Sequence, residues 1–240
     1  GTIAVSNNID LYDADIAAGL VAAGAVTLDK YSMNTVTLSG DNSGLTGTGS
    51  NVIIEGSLIL DYATSTATKL ISGGALDMRG GNLTLSGNAT GAVAQSVASF
   101  TLASGGNSTI ALGAVNGQDL VLSLNAITRA INAQDGTVRL VLPAGVQSAA
   151  NGVTTDALNT LGAGADAIIG GWLTVDDGAG VFFGRNLTNA ADGNIVAAVT
   201  STKDSVASWS GGENISDGAG YTGTVGLASV NSLRFNAAAG

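Results

Sequence analysis

Two pairs of carboxylates have the clearest capacity for chemistry in this sequence. Asp13 and Asp15 stand in "YDADI", and Asp176 and Asp177 stand in "TVDDGAG". Neighbouring acids can divide a proton-transfer task, one carboxylic acid protonating a leaving group while the other serves as base or nucleophile. Polysaccharide-cleaving enzymes use them in this way. The same carboxylates could bind Ca2+ together with backbone carbonyls. Both pairs also have a plainer reading as solvated turn residues, and Asp176 and Asp177 run directly into Gly178, a turn composition. The plainer reading is preferred. No catalytic, cofactor-binding or metal-ligating residue is therefore expected, with Ca2+ the one ion weighed.

The rest of the composition narrows the chemistry further. The 240 residues include no His and no Cys. Without imidazole there is no Ser-His-Asp catalysis and no His metal site, and without thiols there is no disulfide scaffold and no thiolate zinc site. Acids outnumber bases 18 to 8, for a net charge of −10, and the few bases form no patch. Phosphate contacts need Lys and Arg, so nucleic acid is not an expected partner. "RGG" at Arg79 occurs once, between strand-like runs, and is not read as an RNA-binding segment. No uninterrupted apolar run is long enough for a transmembrane helix.

Trp172 in "GGWLTV" and Trp209 in "VASWSGG" could stack on sugar rings if exposed, but a core position is the preferred reading for each. Phe182 and Phe183 are adjacent, so a regular strand cannot bury both, and one is expected against a neighbouring segment or subunit. Asn82, Asn88, Asn107, Asn186 and Asn214 each begin an Asn-x-Ser/Thr triplet and are read as ordinary turn and strand residues rather than glycosylation sites.

These residues must be positioned by short strands. Apolar residues make up 45% of the chain, which argues against disorder, and charged residues only 11%, so the surface must be polar through Ser, Thr, Asn and Gly. Strand-like runs with apolar residues at alternate positions include Thr35–Leu38, 52–54, Ser57–Asp61, Ala75–Met78, Asn82–Ser86, 97–102, 108–112, 119–124 and 137–142. Further runs lie at 171–175, 181–183, 195–199, 221–225 and Ser232–Phe235. "SGDNSG", "SGGA", "RGGN" and "AQDG" punctuate them with Gly beside small polar residues.

Restarts every 10 to 25 residues or so, few aromatics and Gly at nearly every corner favour an all-β parallel β-helix (β-solenoid) with Gly/Asn/Ser-rich turns over an antiparallel sandwich. The whole chain, 1–240, reads as one such unit, with a less regular part over 1–50. Residues 9–26 are Ala-rich and read either as a helix or as strands around a turn. Residues 147–167 read as a protruding loop with a helical turn at 155–161.

"GSLILDY", "GGALDMRGGNLTLSGN", "VASFTLASGGNSTIAL" and "LVLSLNAITRAINAQDGTVRLVLPAG" resemble autotransporter-associated β-strand repeat proteins, over roughly residues 50 to 240. The Gly-Gly-x-Gly-x-Asp nonapeptide of calcium β-rolls is absent. The resemblance implies exported, elongated, non-enzymatic material at a bacterial cell surface: a fibre, sheath or adhesin. A glycan-binding or glycan-cleaving β-helix, as in a tailspike or secreted lyase, is the rival, and a surface-layer lattice is a variant of the first reading. The chain starts at Gly1 with no signal peptide, so it is read as a mature form or as a piece of something longer. Neither "GTIAVSN" nor "VNSLRFNAAAG" looks like a polar cap, so self-association end to end is the expected partnership, with a glycan or cell surface as further contact.

Overall fold

The computed structural model describes residues 1–22, 24–103, 106–130, 136–162, 167–198, 201–202, 213–217 and 232–235. The described residues form an all-β protein without a helix, its strands numbered β1 to β23 in chain order. A six-stranded sheet is parallel throughout. It stacks β2 (Ile9–Leu11), β5 (Leu28–Lys30), β7 (Asn51–Ile53), β9 (Ala75–Met78), β12 (Ser99–Leu102) and β15 (Ala126–Arg129). A second sheet has twelve strands. Its long parallel run is β3 (Ala14–Ile16), β6 (Thr35–Leu38), β8 (Ser57–Asp61), β10 (Asn82–Ser86), β13 (Asn107–Gly113), β16 (Thr137–Val141) and β18 (Leu173–Asp176).

The chain serves the two sheets in alternation, and from β11 (Val93–Ser96) onward it adds a third station. There β11, β14 (Leu120–Ser123) and β17 (Gly152–Thr155) pair in parallel. Near the start, β1 (Thr2–Ala4) and β4 (Gly19–Val21) make a small parallel pair of their own, continued by a parallel bridge from Ala22 to Leu45.

Alternation explains why these runs are strands. In β8 the side chains of Leu58 and Leu60 are buried while Ser57, Ile59 and Asp61 are half-buried on the other side. Register then stacks like on like. Val36 pairs with Leu58, Leu58 with Leu83, Leu83 with Ile110, Ile110 with Leu140 and Leu140 with Val175. All six are fully buried. Each such side chain withdrawn from water contributes about 1.5–3 kcal/mol, and the small strands gain stability by adding to one continuous apolar column.

The parallel order ends at β18. There β18 pairs antiparallel with β19 (Val181–Asn186), β19 with β20 (Gly193–Ala197), and β20 with β17. This meander joins the long run to the third station and makes one twelve-stranded sheet. Gly184 faces the core there, where a Cβ would lie 2.0 Å from Leu173 Cδ2. Beyond it, β21 (Ser201–Thr202), β22 (Asn214–Asp217) and β23 (Ser232–Phe235) form a separate three-stranded parallel sheet.

Several expectations change. Residues 9–26 hold three strands, β2, β3 and β4, so the strand reading stands over the helix. Residues 147–167 are not a bare loop. They contain β17, and 155–161 has no helical turn, because Thr155 ends a strand and Asn159 is tied to Asn186 and Asn189. The 97–102 run shortens to β12 at Ser99–Leu102, because the chain bends at 97–98 after β11. The 221–225 run lies outside the described residues.

Asparagines, buried at 42, 88 and 186 and half-buried at 125, fasten one pass of the chain to the next. Asn42 Oδ1 accepts from Leu20 N, 22 residues away. Asn88 Nδ2 donates to Tyr62 O across 26 residues, Asn125 Nδ2 to Val97 O across 28 and Asn186 Nδ2 to Thr155 O across 31. An amide carries both donors and an acceptor, so it can satisfy the backbone groups that a corner leaves outside the ladders.

Candidate functional site

The two carboxylate pairs lie at separate elements. Asp176 and Asp177 sit at the β18–β19 hairpin. Asp176 bonds Arg139 and also accepts from Gly178 N at 3.0 Å, while Asp177 Oδ1 accepts from Ala179 N at 3.0 Å and Gly180 N at 3.2 Å. The Arg139 guanidinium, then the Gly178 amide, hold the Asp176 carboxyl below its usual range, so it stays ionised. Both carboxylates are occupied in shaping the turn. Asp13 and Asp15 flank Ala14 on the exposed side of β3, and Asp13 Oδ2 accepts from Asn34 Nδ2 at 3.3 Å. Among the described residues no group of three or more acids is placed to hold a metal ion.

Trp172 packs half-buried against the core, as expected, and Trp209 lies outside the described residues. Phe182 and Phe183 are both half-buried and take opposite faces, Phe182 sharing the core side with its partner Val175 and with Gly184, Phe183 the outward side with Thr174. Asn186 is fully buried and Asn88 nearly so, each bonded to backbone. Asn82 and Asn107 are exposed on the long run. Arg79 lies between β9 and β10, 3.4 Å from Asp77.

Two buried lysines went unseen in the sequence. Lys30 stands in register between Leu11 and Ile53, in a column that continues through Met78 and Leu102 to Arg129. Its ammonium donates to the Ser32 carbonyl and hydroxyl and to Glu55 O at 3.4 Å. Lys69 donates to Ser39 O at 3.0 Å and Gly40 O at 2.7 Å, and lies 5.2 Å from the centre of the buried Tyr62 ring. Burial lowers the pKa of both lysines and raises that of Tyr62. Tyr62 Oη and the Lys69 and Leu70 amides all donate to Gln95 Oε1. Carbonyls hold each ammonium, and this part of the structure is mortar between passes.

The sequence also concealed a surface cluster. "IDLY" and "LDKY" place Asp-x-Tyr twice, and Ile9 pairs with Leu28, Asp10 with Asp29 and Leu11 with Lys30. The two motifs therefore lie side by side. Tyr12 and Tyr31 stack with ring centres 6.2 Å apart and planes inclined by 29°. Tyr31 Oη donates to Asp29 Oδ2 at 3.2 Å. Asp29 is buried, and burial pushes its carboxyl up; the Tyr31 bond opposes this and the Asp10 charge adds to it. The Asp29 bond holds the Tyr31 phenol above its usual value. The repeated Asp-x-Tyr was the available signal, and it required the register to be interpreted.

No family model, curated protein or solved structure matches the chain.

Proposed function

We propose that the chain is a β-solenoid segment of a non-enzymatic structural protein at a bacterial surface, part of a fibre, sheath or adhesin whose units associate end to end. The observation that carries this reading is the register. The outward residues of the long run form a column, Thr35, Ser57, Asn82, Thr109 and Arg139, and beside it another, Thr37, Ile59, Thr84 and Ala111. On the six-stranded sheet Thr101 and Thr128 stand in register, their hydroxyls 3.1 Å apart. Side chains that hydrogen-bond along the stack and carry little charge suit a scaffold built by repetition.

The resemblance to autotransporter-associated repeats supplies the extracellular setting. End-to-end association rests on sheet edges. Among the described residues β2 and β15 end the six-stranded sheet, and an end strand presents amides and carbonyls that another chain can take up. On the long run the antiparallel meander already occupies the β18 side, so the six-stranded sheet is the route for growth in that direction. Negative-stain microscopy of the purified chain over rising concentration tests the assembly. The reading predicts linear oligomers or filaments of uniform width. Single particles at every concentration would remove end-to-end assembly.

A further inference from the structure

We propose that the Tyr12–Tyr31 corner is a binding platform for a neutral oligosaccharide. Large apolar side chains left in water are costly when they gather. Tyr12 is 58% exposed, Tyr31 39% and Met33 83%, all at one corner of the stack. By contrast Tyr62 and Phe100 are fully buried, and Trp172 is packed on the core. The Tyr12 and Tyr31 rings are therefore the exposed aromatic surface among the described residues, and the repeated Asp-x-Tyr placed them together.

The corner is also held in shape. Ser32 Oγ donates to Tyr12 O, Tyr31 N donates to Leu11 O at 3.3 Å, and Tyr31 Oη is fixed to Asp29. Little conformational freedom remains to be lost when a ligand arrives. A sugar ring presents a face of C–H bonds and a rim of hydroxyls. The tyrosine rings meet the first, and the exposed carboxylates of Asp10 and Asp13, with Asn34 beside Asp13, accept from and donate to the second. Anionic glycans are disfavoured by Asp10, Asp13 and Asp29 at the platform and by the net charge of −10. Tyr12 directly follows β2, an end strand of the six-stranded sheet, so a unit paired on that edge would compete with the sugar for this corner.

The test uses the full chain and defined hexaoses as probes: cello-, xylo-, manno-, malto- and chito-oligosaccharides, with oligogalacturonate as the anionic comparison. Binding is followed by calorimetry and by saturation-transfer NMR. At least one neutral hexaose is expected to bind, with sugar protons saturated from tyrosine ring resonances. Tyr12→Ala or Tyr31→Ala should weaken it about tenfold or more, with the circular dichroism spectrum retained. Tyr31→Phe, which keeps the ring, should weaken it less and serves if the alanine variants misfold. Absence of binding for every neutral probe at millimolar concentration, binding of the anionic probe alone, or unchanged affinity in Tyr12→Ala and Tyr31→Ala would overturn the proposal.

Discussion

Asp29 shows how a residue's meaning depends on its neighbours in register. Its carboxyl is buried beside Asp10, and burial pushes its pKa above the ordinary value. The folded state then holds a proton at pH values where the unfolded chain has released it. Such a group favours folding below its unfolded pKa, and that contribution is lost as pH rises through the raised value. Asp29→Asn removes the charge and keeps an acceptor for the Tyr31 hydroxyl. Thermal unfolding should therefore give a higher midpoint for the variant at about pH 7, and the gap should close near about pH 3, below the unfolded carboxyl's range. A lower midpoint at neutral pH would mean that the ionised carboxylate is stabilising. None of this was legible in "LDKY" read alone. Asp176 and Asp177 were legible as turn residues, because Gly178, Ala179 and Gly180 are sequence neighbours, whereas the Arg139 partner of Asp176, 37 residues away, was not. Lys30 and Tyr12 were not, because what surrounds them comes from other passes of the chain.

At the scale of elements, the strands that stood out in the sequence are those with clean alternation. Thr35–Leu38, Ser57–Asp61, Ala75–Met78 and Asn82–Ser86 have the same bounds in the structure as in the pattern. β17 was hidden because Gly152, Val153, Thr154 and Thr155 are all buried, so no alternation marks it. β1 to β5 have three residues each, too few for a period to show. The Gly corners have a steric reason that composition could only suggest. A Cβ on Gly49 would fall 1.5 Å from Val26 O, and one on Gly74 would fall 1.6 Å from Gly49 O. Successive passes touch backbone to backbone at this corner. Gly49→Ala should therefore cost about 1–3 kcal/mol or more, measured by urea unfolding. Gly24, where an added Cβ meets nothing within 4 Å, is the control, and Gly24→Ala should change stability by less than about 1 kcal/mol. Equal effects at both positions would remove close approach as the reason for glycine at 49.

For the whole molecule, the central claim is that the long parallel run is a stack that advances by one strand spacing per pass. The chain has no cysteine, so each introduced pair of cysteines is the only pair of thiols available for spin labels. Thr35, Ser57, Asn82, Thr109, Arg139 and Thr174 follow one another in register on the outward side. With neighbouring strands about 4.8 Å apart, the Cα separation from Thr35 should grow from about 10 Å at Asn82 to about 14 Å at Thr109 and about 24 Å at Thr174. Pairs at Thr35 with each of these positions, measured by electron paramagnetic resonance, test the stack directly. A steady increase in label distance in that order is the predicted result. A Thr174 label found no farther from Thr35 than the Thr109 label would contradict the stack.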